Sequence, residues 1–60
     1  MFLIILTREN NQEVIKSFST KEDALAYGEH YNKTLLKGMG TLSCISQVSE
    51  KKNIIHKVWL

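Results

Sequence analysis

The sequence predicts a two-layer α+β domain of order ββαββ, with one helix packed on a four-stranded, largely antiparallel sheet. Three features predict it: an apolar run at the amino end, one capped amphipathic segment in the middle, and alternating apolar and polar residues near the carboxyl end. Each element follows from its own residues.

The run Met1-Phe2-Leu3-Ile4-Ile5-Leu6, closed by Thr7 and Arg8, is too short to cross a bilayer. It also lacks the charged leader and cleavage site of a signal peptide, so it reads as a buried strand. Side chains alternate along a strand, which puts Leu3 and Ile5 on one side and Phe2, Ile4 and Leu6 on the other. Both sides are apolar. Asn10 and Asn11 suit a tight hairpin turn because asparagine tolerates positive φ. With those two as the turn, the second strand runs from Glu13 to Ser19, and Leu6 meets Ile15 while Leu3 meets Phe18. One face of the hairpin then carries Leu3, Ile5, Val14 and Phe18, and the other carries Phe2, Ile4, Leu6 and Ile15. The serines and Lys16 make the second strand an edge and leave the first in the middle of the sheet.

A helix is expected over Lys21 to Lys37. Thr20 is placed to cap it, Glu22 and Asp23 sit where the helix dipole favours negative charge, and Lys33 and Lys37 sit where it favours positive. Gly38 suits the left-handed residue that often ends a helix. Ala24, Tyr27, Gly28, Tyr31 and Leu35 recur at helical spacing and form the stripe that covers the sheet. Glycine costs about 1 kcal/mol against alanine inside a helix, so Gly28 reads either as a close approach of helix to sheet or as a cost that is simply tolerated. Glu29 and Lys33 are spaced as a surface ion pair.

Gly38-Met39-Gly40 reads as a connector. Beyond it, Thr41 to Ser49 alternates as a half-buried strand, with Leu42, Cys44 and Val48 on one side and Ser43, Ile45 and Gln47 on the other. A turn at Glu50-Lys51-Lys52-Asn53 pairs Cys44 with Trp59 and Ile45 with Val58, which puts Cys44 and Trp59 under the helix. A one-residue bulge would exchange the two sets.

Residues 1–60 form one domain, and a chain of this size buries only about 60% of the surface its unfolded form exposes. Extra stabilisation is therefore expected from association, because the single cysteine, Cys44, forms no intramolecular disulfide. A reducing, cytoplasmic setting fits that usage. His30, His56 and Cys44 match no zinc spacing, Gly38-Met39-Gly40 is no phosphate loop, and no catalytic group, metal site or cofactor site is assigned. Enzymatic activity is not expected from one two-layer core without room for a pocket.

One helix covers one face of the sheet, so the other should meet a partner. With Leu3 and Ile5 under the helix, the outward face and partner-binding surface is Phe2, Ile4, Leu6, Ile15, Ile45 and Val58, with His56 among them. A second copy of the chain ranks first as occupant, ahead of another protein and of the chain's own ends. The protein is thus read as a non-enzymatic protein-binding module that docks by this face or by its edge strand, with no membrane partner. The alternative is nucleic-acid binding through the lysines at the helix end and in the last turn. A net charge of only +2 and a single arginine, Arg8, weigh against it.

The chain is rich in Lys, Asn, Ile and Glu and has no proline. With the strand-to-helix turn Phe18-Ser19-Thr20-Lys21-Glu22-Asp23-Ala24, it resembles small bacteriophage-encoded accessory proteins, among them inhibitors of host enzymes and anti-CRISPR proteins. The resemblance implies an anti-defence inhibitor or modulator that occludes a working surface in the host cytoplasm. It assigns no role to any individual residue.

Overall fold

The computed structural model describes residues 1–35 and 39–59. It consists of β1 (Phe2–Arg8), β2 (Asn11–Phe18), α1 (Lys21–Thr34), β3 (Thr41–Ser49) and β4 (Lys52–Trp59). The expected ββαββ architecture is present: the four strands are antiparallel in the order β2-β1-β3-β4, and the helix lies on one face. β1 is central and β2 is an edge, as its apolar run and the serines of β2 imply.

The first turn sits one residue earlier than the asparagines suggest. Arg8 pairs with Asn11, so Glu9 and Asn10 make the turn, and Glu9 adopts the positive φ of 43°. Left-handed backbone costs an ordinary residue about 1–2 kcal/mol, so packing of the strands has overridden local turn preference. Further along the hairpin the register shifts between Ile4 and Ile5, and Ile15 is the extra residue of a bulge on β2. The bulge moves Phe18 to the side of Ile4 and Leu6, where it pairs with Phe2.

That shift decides which face lies under the helix. Phe2, Ile4, Leu6, Ile15 and Phe18 gather on one side, and pairing of β1 with β3 sets Ile4 beside Cys44 and Leu6 beside Leu42. This larger apolar surface is the one the helix covers. Ile4, Leu6, Leu42 and Cys44 are completely or almost completely buried, with Ala24 and Trp59, and Phe2, Ile15, Phe18, Leu25, Tyr27, Tyr31 and Leu35 pack around them. The expectation that Phe2, Ile4, Leu6 and Ile15 face outward is therefore corrected. Cys44 and Trp59 lie under the helix as expected.

Thr20 caps the helix, accepting a hydrogen bond from the Asp23 N–H at 3.3 Å. The helix ends at Thr34 with Leu35 as the capping residue, short of Lys37; the assignment of Gly38 as the terminating residue lies outside the described residues. Gly28 is buried against Trp59: a Cβ at this position would sit 2.7 Å from Cζ2 and 2.8 Å from Cζ3 of the indole, and closer still to Cη2. Only a residue without a Cβ lets the ring lie flat on the helix backbone. Glu29 pairs with Lys57 of β4, where the sequence suggested Lys33.

The second hairpin turns through Glu50 and Lys51, tighter than the expected turn, because Ser49 pairs with Lys52. A bulge then places His56 as the extra residue between the pairs Ile45–Ile55 and Cys44–Lys57. It exchanges the sides of Ile54 and Ile55, leaving Ile55 on the face away from the helix and Ile54 on the helix side.

Candidate protein-docking face

The sheet surface opposite the helix carries six apolar residues: Leu3 and Ile5 from β1, Val14 from β2, Ile45 from β3, and Ile55 and Val58 from β4. They run across the whole sheet, because Leu3 pairs with Ile45, Ile45 with Ile55, Ile5 with Val14, and Ser43 with both Ile5 and Val58. Ile45 is shielded by its neighbours, while Val14, Ile55 and Val58 are 55%, 65% and 42% exposed. The remaining positions on this face are Thr7, Gln12, Ser17, Thr41, Ser43, Gln47 and Asn53.

Among the described residues this face holds no charged side chain. Alternation and register send Arg8, Glu13, Lys16 and Lys57 to the helix side, and alternation along β4 does the same for Lys52, whose partner Ser49 follows a second register shift at Val48, between the pairs Gln47–Asn53 and Ser49–Lys52. For two of them the contacts confirm it. Lys16 Nζ lies 5.4 Å from the centre of the Tyr27 ring and 5.7 Å from that of Phe18, and Lys57 bonds Glu29 while lying 5.3 Å from the centre of the Trp59 ring. Cations over aromatic faces are attracted by the ring quadrupole, which helps hold both lysines there.

Of the residues expected on the docking surface, Ile45 and Val58 are brought together here; Phe2, Ile4, Leu6 and Ile15 are under or beside the helix. His56 stands apart from the patch. Its Nε2 is 2.8 Å from Ser46 Oγ, and its ring lies 5.6 Å from that of Phe2. Residues that share this face but were missed are Leu3, Ile5, Val14 and Ile55. The period-two pattern had already grouped Leu3, Ile5 and Val14 on one side, so the missing signal was only which side; Ile55 was hidden by the bulge at His56.

Other groups with chemical potential are elsewhere. The Ser46 and His56 pair resembles part of a nucleophile and base arrangement, which also requires a group to orient the histidine and donors for an oxyanion. Among the described residues no carboxylate bonds His56, and no three His, Cys, Asp or Glu residues are grouped to hold a metal ion. Arg8, Glu9, Asn10, Asn11, Met39 and Gly40 line an open groove at the first turn. Cys44 is fully buried, and desolvation raises the pKa of its thiol, which keeps it protonated and weakly nucleophilic. Among the described residues no helix is long and apolar enough to cross a membrane.

The environment of Glu29 perturbs its titration. The Lys57 ammonium, and secondarily the adjoining Trp59 indole, hold it below the ordinary carboxylate range. The indole Nε1 itself is buried and meets no acceptor at hydrogen-bonding geometry. Because the folded-state pKa is depressed, the stabilisation is complete above the unfolded carboxyl pKa and is lost as pH falls through the folded value. Both side chains are nearly half exposed, so the effect is small. Thermal denaturation followed by Trp59 fluorescence from about pH 6 down to about pH 3 should show a steeper loss of Tm in the wild type than in Glu29→Gln. Equal slopes would show that the pair contributes nothing to folding.

No family model, curated protein or solved structure matches the chain.

Proposed function

We propose that this protein is a non-enzymatic binding module that docks onto other proteins through the sheet face opposite the helix. The observation that carries this reading is a surface spanning all four strands, apolar at its centre and without charge among the described residues. Soluble monomers seldom expose contiguous apolar patches beyond a few hundred Å², and depletion of charge marks the cores of protein interfaces. Phosphate backbones require cations, and among the described residues this face presents none.

Docking by strand addition is less well served. Both edge strands, β2 and β4, carry a bulge, a feature that twists an edge away from a neighbouring strand. In this reading the protein acts stoichiometrically, as an inhibitor or modulator that occludes the surface it covers. That mode agrees with the resemblance to phage-encoded anti-defence proteins and with a reducing host cytoplasm.

The test compares three baits in bacterial lysate: the wild type, Ile55→Lys on the docking face, and Ile54→Lys on the opposite side. Ile54 and Ile55 are 42% and 65% exposed, so both variants should fold. A protein captured by the wild type and by Ile54→Lys but lost with Ile55→Lys supports the reading. Capture that ignores Ile55, or no capture at all, opposes it.

A further inference from the structure

We infer that the occupant of this face is a second copy of the same chain, packed sheet against sheet about a twofold axis; the inference rests on the docking reading above and names the partner. Its first support is chemical. A twofold axis brings a patch against itself, so any charge near the axis meets its own like across the interface. This face has none among the described residues. Its polar members are threonine, serine, glutamine and asparagine, each of which both donates and accepts hydrogen bonds, so each can pair with an identical neighbour. Lysine or glutamate lacks that property at neutral pH. A surface made only of aliphatic and donor-acceptor groups is complementary to itself without any second sequence.

The second support is area. Strands spaced about 4.8 Å apart and rising about 3.3 Å per residue give four strands of this length a face of roughly 20 by 25 Å. Two such faces together remove about 1,000 Å² from water, the lower limit for a specific interface. Overlap is further trimmed by the roughly 30° angle at which twisted sheets stack. An interface at or just under that limit belongs to the weak, reversible class, so the inferred dimer dissociates on dilution and the same face becomes available to other proteins. Geometry supplies the third support: bulges on both edge strands disfavour growth through the sheet edge, so the face is the remaining route to a closed assembly.

Sedimentation velocity of the intact chain, from low micromolar concentration to about 1 mM, tests the inference. The wild type should shift from monomer to dimer and stop there. Ile55→Lys should raise the dissociation constant by about a hundredfold or more, because each dimer would then bury two unpaired ammonium groups. Ile54→Lys should match the wild type. Far-ultraviolet circular dichroism confirms that all three are folded, and Val58→Lys repeats the test at a second position of the face.

A wild type that stays monomeric throughout overturns the inference, as does a dimer indifferent to both Ile55→Lys and Val58→Lys. The lysate comparison separates this failure from failure of the docking reading. A monomeric protein whose captures still depend on Ile55 retains its docking face and loses only the second copy.

Discussion

Ile4→Lys is expected to abolish the folded state, while Ile55→Lys leaves it intact. Ile4 has no exposed surface and sits on the central strand beside Cys44, with Leu6 and Leu42 in the next layer of the core. Lysine there must either hold an unpaired ammonium out of water or give up its charge, and it also removes an aliphatic group worth about 1.5–3 kcal/mol of burial. A domain of this length has about 3–9 kcal/mol of total stability at about 0.05–0.15 kcal/mol per residue, so the loss exhausts it. Circular dichroism should show an unfolded chain, with no cooperative urea transition and with Trp59 fluorescence shifted to that of a solvated indole. A variant that unfolds cooperatively near the wild-type midpoint would mean that Ile4 is not in the core and that the two sheet faces are exchanged.

Gly28→Ala tests the other half of the core, the seat of the helix on β4. In an exposed helix this change stabilises by about 1 kcal/mol, through propensity alone. Here the new methyl would fall inside contact distance of the Trp59 ring, at 2.7 Å from Cζ2. Overpacking of this kind costs about 1–3 kcal/mol, and a rigid indole offers little give. The expected net result is destabilisation of up to about 2 kcal/mol, and each kcal/mol lowers Tm by about 4–8 °C in a domain this small. Trp59→Leu removes the ring and should itself destabilise. In its background Gly28→Ala should become neutral or stabilising, so the double-mutant cycle carries a coupling of opposite sign to the single change. Stabilisation by Gly28→Ala alone would show that the helix does not approach the indole this closely.

These two sites also show how much was legible in the residues. Gly28 was readable because a glycine inside an otherwise good helix violates propensity, and the violation marks the point of closest packing. Thr20 was readable as a cap because its oxygen satisfies the otherwise unpartnered Asp23 N–H, a local matter of three residues. Ile4 was half readable. Alternation correctly divided Ile4 and Leu6 from Leu3 and Ile5, yet alternation has no term that says which side faces the helix.

What was missed has a common physical origin in single-residue irregularities and long-range pairing. The bulge at Ile15 moves Phe18 to the Ile4 side, and the bulge at His56 moves Ile55 to the far side. Neither carries a glycine or other local marker. Both arise where strands of unequal path must keep pairing across a twisted sheet. Pairing of Glu29 with Lys57 spans 28 residues, so helical spacing pointed instead to Lys33, which is nearer in sequence but not the partner in space.

Taken alone, the sequence determined the order of elements, the central place of β1, the helix cap and the existence of apolar groups on both sides of the sheet. These depend on period, turn chemistry and composition, which act over a few residues. Tertiary structure alone decided that Leu3, Ile5, Val14, Ile45, Ile55 and Val58 share the outer face and that Ile4 and Leu6 share the core. That choice depends on β1 meeting β3 across most of the chain's length, and the free energy separating the two assignments lies in how well the whole set packs against one helix.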